Sequence, residues 1–347
     1  MRDIFFCEER SISFCLNTNR SFFLFFIEIL ITFIQKEIII KMKICIFKDI
    51  YFSYTKEVTF MDEAKRKFDE INDKILMHAG KFNIDLRKGE LWYRGESKIY
   101  ETISSSLMRQ LPIKSLKTME PVIGRIIMNY EGWIYKKFSN ELSDKFPDIY
   151  KNITENSWDI VFYMQHYGVP TRFIDWTQDL NTALFFATEK ARSTDDNTVL
   201  WLFAPLEFNK KIHNQKWLKH PGNDDSYEDF IFAEERGLEQ KNGVAISPHG
   251  LTRFASKDIE RMYSQYGHFV FIPKIFSGMN EYIDKLSGGS DYLKNTILTK
   301  IDISNSDARL INKYLVSIGC DRARYKLDQE SPIDSSDYTF KKFQDTY

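Results

Sequence analysis

One stretch of the chain, residues 165–187, constrains the fold more than any other. Gly168 suits the left-handed conformation that ends a helix, and the Val-Pro pair after it prevents the helix from continuing. The apolar residues that follow predict a strand over 171–176, and Asp179 is a suitable N-cap for a helix over 180–192. The stretch therefore predicts a helix, a tight turn, a strand and a second helix in close succession.

Similar patterns predict helices and short strands on both sides of this stretch. The expected helices begin at Asp62 (apolar face Ala64, Phe68, Ile71, Ile75 and Leu76, region closed by Gly89) and cover 120–146, 158–167, a short turn at 259–265, and 307–318 with Ser306 as N-cap and Gly319 as stop. The expected strands cover 91–95, 198–204, 268–272 and 298–303, and the polar residues 207–258 are expected to form a long insertion. Short strands mixed with helices, without strict alternation, predict a mixed α+β fold with helices flanking a sheet.

Charge and cysteine usage exclude several classes of protein. The chain has 48 basic and 49 acidic residues among 347, so its net charge gives no general reason to expect nucleic acid or an anionic membrane as partner. Of the four cysteines, Cys7, Cys15, Cys45 and Cys320, no two have metal-ligand spacing. A disulfide framework and a cysteine metal site are therefore not expected, and a reducing, cytoplasmic location is.

The N-terminal arm, residues 1–60, differs in composition from the domain expected over 61–347. Its most apolar run, residues 21–34, is interrupted by Glu28 and falls short of the about 20 residues that a spanning helix needs. Three interpretations stay open: a membrane tether, an extra strand or helix covering the domain, or an arm foreign to the natural protein. The last is favoured, because Met42 and Met61 both precede better-patterned sequence, and no stable membrane insertion is expected.

Most common catalytic motifs are absent from the sequence. There is no glycine-rich dinucleotide loop, no Gly-Lys-Ser/Thr phosphate loop, no His-Glu-x-x-His zinc motif and no Gly-x-Ser-x-Gly nucleophile elbow. Three short segments remain in which polar side chains stand beside turn residues.

The first segment, residues 92–96, places Arg94 before Gly95 at the end of a strand. A guanidinium there presents a fork of donors that suits a phosphate or a carboxylate. The alternative, favoured on this segment alone, is a structural ion pair, for which Asp175 is a partner to consider.

The second and third segments are 165–187 and 261–273. Thr177 lies at a strand-to-helix junction, where its hydroxyl and nearby N–H groups could face a ligand. His166 reads most simply as a satisfied helix-end histidine. Gln265, just before a strand, could both donate to and accept from a sugar hydroxyl, or could satisfy loop backbone instead.

Together, the three segments resemble the FRG domain family over a motif core of about 91–328. The resemblance rests on Tyr93-Arg94-Gly95, on Gln165-His166-Tyr167-Gly168, on Pro170-Thr171-Arg172, on Asp175-Trp176-Thr177, and on Arg261, Gln265, Gly267 and Phe269. Their order and approximate spacing match as well.

The FRG family is remotely similar to the ADP-ribosyltransferase superfamily, and this similarity implies an ADP-ribosyltransferase-like sheet with NAD as substrate and no metal. Arg94 would hold the pyrophosphate, Thr177 would position the nicotinamide ribose, and Gln265 would bond a ribose hydroxyl as positive charge develops at the anomeric carbon, all three lining one cleft. Tyr93 or Tyr167 would stack on nicotinamide. The remaining expected substrate-binding residues are Gly95, His166, Thr171, Arg172, Asp175, Trp176 and Gly267. An amide at Gln265 departs from the carboxylate usual in efficient transferases.

Three functions are compatible with these residues. The favoured one is an enzyme that transfers ADP-ribose to a protein or nucleic-acid acceptor or cleaves NAD, acting as a toxin or anti-phage effector. The second is a module that binds a nucleotide or nucleic acid without catalysis, with Trp92, Arg94 and Arg172 as a clamp. The third is a structural or partner-binding domain in which the motif residues hold loops.

Overall fold

A computed structural model describes residues 6–111, 120–151, 158–191, 195–220, 243–247, 267–273, 278–328 and 331–346. The chain divides into two compact units, Met1–Asp62 and Glu63–Tyr347.

The first unit is helical throughout its described part, so the arm is a helix and not a strand. It belongs to helix α1, which runs over Phe6–Phe82. Large apolar side chains along it are exposed, among them Phe25, Phe33 and Phe47 at 60%, 66% and 70%. None of the described helices combines the length and apolarity required to cross a membrane.

The second unit contains a sheet and the helices that pack on it. After α1, the helices are α2 (Ser106–Gln110), α3 (Glu120–Lys145), α4 (Pro147–Tyr150), α5 (Trp158–His166), α6 (Leu180–Thr188), α7 (Pro205–His213), α8 (Met279–Ser287), α9 (Asp291–Ile297), α10 (Asn305–Ser317) and α11 (Phe340–Thr346), with 3-10 turns at Leu86–Lys88 and Ser335–Tyr338. The strands are β1 (Trp92–Glu96), β2 (Ile174–Thr177), β3 (Thr198–Phe203), β4 (Val244–Ile246), β5 (Gly267–Phe271) and β6 (Leu298–Ile303).

The six strands form one antiparallel sheet in the order β4-β5-β2-β1-β3-β6. The strand order is far from the chain order, and helices separate most neighbouring strands. This confirms the mixed α+β class with short strands that the sequence predicts.

The two faces of the sheet are covered differently. On one face, Trp92, Trp176 and Trp201 pack in a single cluster with residues of α7, α8 and α9. The other face carries two separate clusters. Residues of α3 and α5 pack there on β2, β4 and β5, and the C-terminal part of α1 packs with α6 and α10 on β1, β3 and β6.

Several local predictions are confirmed. Gly168 has a φ of 74° after α5, and the Asp179 carboxylate accepts hydrogen bonds from the N–H groups of Asn181 and Thr182 at the start of α6. The run predicted as strand 198–204 is β3, which is buried along its whole length. These signals succeed because each depends on residues close together in the chain.

The prediction of a long irregular insertion over 207–258 is wrong where the structure describes it. Helix α7 and strand β4 lie there, and Phe208 is fully buried. Asn209 joins the two elements, because its Oδ1 accepts from the Ala245 N–H at 2.8 Å and its Nδ2 donates to the Ala245 carbonyl at 3.1 Å. The polar composition concealed these few buried contacts. Residues 221–242 and 248–258, like the turn predicted at 259–265, lie outside the described residues.

Other element boundaries also differ from the predictions. The N-cap of α10 is Ser304 rather than Ser306, because the Ser304 hydroxyl accepts from the Asp307 N–H at 3.2 Å. Helix α1 ends at Phe82, so Gly89 closes the following 3-10 turn instead. Leu76, expected on the buried face, is 51% exposed. Such shifts of a few residues reflect competing caps that single-sequence patterns do not rank.

Candidate functional site

Arg94 projects from β1 and bonds to two different strands. Its Nε lies 3.0 Å from Glu96 Oε1, and its Nη1 donates to the main-chain carbonyl of Asp175 at 2.9 Å. The side chain of Arg94 keeps 17% of its surface exposed. The ion-pair partner is therefore Glu96, and not the Asp175 carboxylate considered from the sequence.

The pairing between β1 and β2 is unusually limited. Within these two fully described strands, the only residues in register are Tyr93 and Thr177, whereas β1 pairs with β3 at every position from Trp92 to Glu96. Beyond the single pair, the Arg94 guanidinium bonds the Asp175 carbonyl from the side. The two strands thus part toward their Asp175 end, and this end of the sheet is where the site lies.

Glu96 acts as the counter-ion that holds Arg94. It lies two residues from Arg94 and so projects from the same face of β1. One carboxylate oxygen bonds Arg94, and the other accepts from the Trp201 indole N–H at 3.0 Å. Both oxygens of Glu96 are therefore engaged, and its side chain is only 9% exposed.

Arg109, at the end of α2, brings a second guanidinium to this cluster. The residue as a whole is exposed, and its Nη1 donates to the Ser104 carbonyl. Packing of the guanidinium against the protein lowers the pKa of Arg109, and the positive charge of Arg94 lowers it further, whereas Asp175 and Glu96 raise it. These interactions place two cations and two carboxylates together. Sequence reasoning missed Arg109, because nothing around it forms a motif.

Asp175 is the exposed carboxylate of the cluster. Its Oδ1 accepts a hydrogen bond from the Gln165 amide, and the Gln165 carbonyl oxygen in turn accepts one from the Thr171 hydroxyl. Thr171 is buried, and its N–H donates to the Ser106 hydroxyl at 3.0 Å. A chain of hydrogen bonds from the end of α5 and the start of α2 thus fixes how Asp175 is oriented.

The structure does not bring the Thr177 hydroxyl to the Arg94 guanidinium. Thr177 pairs directly with Tyr93, so their side chains share one face of the sheet, and Arg94 as the next residue of β1 projects from the other. Thr177 is 6% exposed, and its hydroxyl accepts from the Asp179 N–H at 3.0 Å. In this conformation Thr177 serves the start of α6.

The third expected catalytic residue, Gln265, lies outside the described residues, as does Arg261. The described part resumes at Gly267, which pairs with Thr177 at the start of β5. The role proposed for Gln265 from the family resemblance stays a prediction.

Neither tyrosine expected to stack on nicotinamide offers a free ring. Tyr93 is 7% exposed, and burial, followed by the charge of Asp179, raises the pKa of Tyr93 to about 12. The Tyr167 ring stacks on Phe146 with centroids 5.9 Å apart, and His166 packs on its edge. Both tyrosines therefore fill the core.

The clamp expected from Trp92, Arg94 and Arg172 is not assembled. Trp92 is fully buried, and Arg172 is 4% exposed. The Nε of Arg172 lies 2.7 Å from a carboxylate oxygen of the buried Glu131, and its guanidinium lies over the Phe271 ring, 4.3 Å from the centroid. Arg172 thus links β2's approach to α3 inside the core, and Trp176, 2% exposed, is likewise a core residue.

Gly95 allows α6 to pack directly on β1. A Cβ added at Gly95 would lie 1.8 Å from the Ala183 carbonyl oxygen and 2.7 Å from the Ala187 nitrogen. The glycine that follows Arg94 is therefore required by close backbone contact and does not need to touch a ligand.

Among the described residues, no group of three metal-ligating side chains is assembled. The fold and the polar cluster together define a mixed α+β domain whose charged site lies where β1 and β2 part. A family model described as the FRG domain matches residues 89–196, a range that includes Arg94, Arg109 and Asp175. The chain therefore carries an FRG domain, as its motifs predict. No curated protein and no solved structure matches the chain.

Proposed function

We propose that this FRG domain binds NAD at the parted ends of β1 and β2 and acts as an ADP-ribosyltransferase-like or NAD-cleaving enzyme. The observation that carries the proposal is the pair of arginines, Arg94 and Arg109, held beside each other at the edge of the sheet. Two like charges repel, so their proximity is best explained by an anion that bridges them.

A pyrophosphate fits the two guanidinium groups. Each guanidinium has five N–H donors in a planar fork, and phosphate oxygens match that fork. Arg94 uses two of its nitrogens on Glu96 and Asp175, and Arg109 makes one side-chain hydrogen bond, to Ser104, with the described residues. Donors on both residues thus remain for a diphosphate, which carries the two charges that would offset the arginines.

The biological setting that goes with this chemistry is a toxin or defence effector, which would deplete NAD or modify a protein or nucleic-acid acceptor. A second candidate function is nucleotide binding without chemistry. It is supported by the separation of Thr177 and Arg94 onto opposite faces of the sheet, because the three-residue catalytic set expected from the family resemblance is then incomplete.

Replacing Arg109 with alanine should weaken NAD binding by about 10- to 100-fold, the loss expected for one or two charge-assisted hydrogen bonds. The melting temperature should stay close to that of the wild type, because Arg109 has no buried ion pair to lose. The measurements are calorimetric titration with NAD and release of nicotinamide by the wild type and the variant.

The matched control is Arg87→Ala, because the side chain of Arg87 is 96% exposed and lies before β1. This variant should bind NAD as the wild type does. Wild-type protein that neither binds NAD nor releases nicotinamide would rule out the proposal. Saturable binding without nicotinamide release would establish the second candidate function.

A further inference from the structure

We infer that Asp175 is the catalytic carboxylate of this site and supplies the negative charge that an amide at Gln265 lacks. The inference rests on the proposed function and names the residue that would act at the anomeric carbon of the nicotinamide ribose. Its basis is the geometry of the carboxylates around Arg94.

Only two carboxylates act on the arginine pair in the described part of the chain, and they differ in availability. Glu96 is nearly buried, and both of its oxygens are hydrogen-bonded, to Arg94 and to Trp201. Asp175 is exposed, and its Oδ1 accepts from Gln165. No described residue bonds Asp175 Oδ2, so this oxygen is the one that can meet a substrate.

The orientation of Asp175 is determined before any ligand arrives. The Gln165 amide that holds Oδ1 is itself held by the Thr171 hydroxyl, and Thr171 is tied through its own N–H and carbonyl to Ser106. A catalytic group whose rotamer is locked by supporting hydrogen bonds loses little entropy in the transition state. Gln165 and Thr171 are therefore positioning residues.

The position of Asp175 also relates it to the site of the pyrophosphate. The Arg94 guanidinium bonds the main-chain carbonyl of Asp175 itself, at 2.9 Å. A substrate whose diphosphate contacts Arg94 and Arg109 thus has its adjoining ribose beside β2. In NAD the nicotinamide ribose is joined directly to the diphosphate, so its anomeric carbon lies within reach of the same strand.

The chemistry is a substitution at that anomeric carbon. The bond from C1′ to the nicotinamide nitrogen breaks, and its electron pair leaves with neutral nicotinamide, so positive charge develops on the ribose. The Asp175 carboxylate opposes this charge and takes the proton of the attacking water or acceptor group as the new bond to C1′ forms. With water as nucleophile, NAD⁺ and H₂O give ADP-ribose, nicotinamide and one proton, which passes from Asp175 to solvent.

Asp175→Asn tests this role with little change in shape. The asparagine Oδ1 still accepts from Gln165, so the melting temperature and the KM for NAD should stay within about threefold of wild type, whereas kcat should fall by about 10²- to 10³-fold, as for loss of one transition-state electrostatic contact. Asp196→Asn, another exposed aspartate, is the matched control and should leave kcat unchanged.

A second variant separates positioning from a merely structural role. Gln165→Met removes the hydrogen bond to Asp175 and keeps the side-chain length, so kcat should fall less than in Asp175→Asn while KM stays near wild type. If the wild type releases nicotinamide and Asp175→Asn releases it equally fast, Asp175 is not the catalytic carboxylate, and NAD cleavage itself stands. If the wild type releases none, the proposed function fails, and the role of Asp175 fails with it.

Discussion

Replacing Arg172 with leucine should lower the free energy of unfolding by about 3–5 kcal/mol, because it leaves a buried carboxylate without its counter-ion. The Arg172 and Glu131 side chains are 4% and 3% exposed and lie 2.7 Å apart. The guanidinium also packs on Phe271. An unpaired charge at this depth cannot be resolvated without opening the contact between α3 and the start of β2.

The comparison that isolates the pair is urea denaturation of wild type, Arg172→Leu, Glu131→Leu and the double variant. The double variant should recover most of the loss, since two apolar side chains can replace a buried ion pair at little net cost. Arg66→Leu, which breaks an exposed helical pair with Glu70, should change stability by about 0.5 kcal/mol or less. A single Arg172 variant as stable as Arg66→Leu would show that the buried pair does not hold these elements together.

Replacing Gly95 with alanine should be the most damaging conservative change in the matched region, with a loss of about 3 kcal/mol or more. The added Cβ would overlap the Ala183 carbonyl and approach the Ala187 nitrogen, and both are helix backbone that cannot rotate away. Helix α6 would have to lift from β1, exposing part of the core cluster that contains Ala183 and Leu184. The measurements are soluble yield, melting temperature and urea midpoint.

The matched control is Gly80→Ala in the last turns of α1, where nothing lies within 4 Å of the added Cβ. Alanine is the better helix former, so this variant should gain about 0.5–1 kcal/mol. A Gly95→Ala protein that melts with the Gly80→Ala protein would mean that α6 does not press on β1 as described.

Much of the fold is predictable from the sequence, because its strongest signals are local. Gly168 and Asp179 determine the end of one helix and the start of the next, and β6 coincides with the apolar run predicted at 298–303. The same reasoning misplaced α7 and β4, since an amphipathic surface helix in a polar stretch buries only a few residues, such as Phe208 and Asn209. Boundaries and short edge elements depend on contacts that no local window contains.

The site was only partly predictable, for a different physical reason. The motifs identified Arg94 and Asp175, yet the register of β1 on β2 decides that Thr177 faces away from Arg94. A shift of one residue in that register would reverse the result. Arg109 escaped detection because tertiary packing alone brings α2 to the end of β1.

The measurement that tests the central claim most directly is a crystal structure of the protein with a non-cleavable NAD analogue. We predict that the diphosphate contacts the guanidinium groups of Arg94 and Arg109, and that the nicotinamide ribose faces the Asp175 carboxylate. An analogue bound at another surface, with the end of β1 and β2 empty, would contradict the assignment of this site.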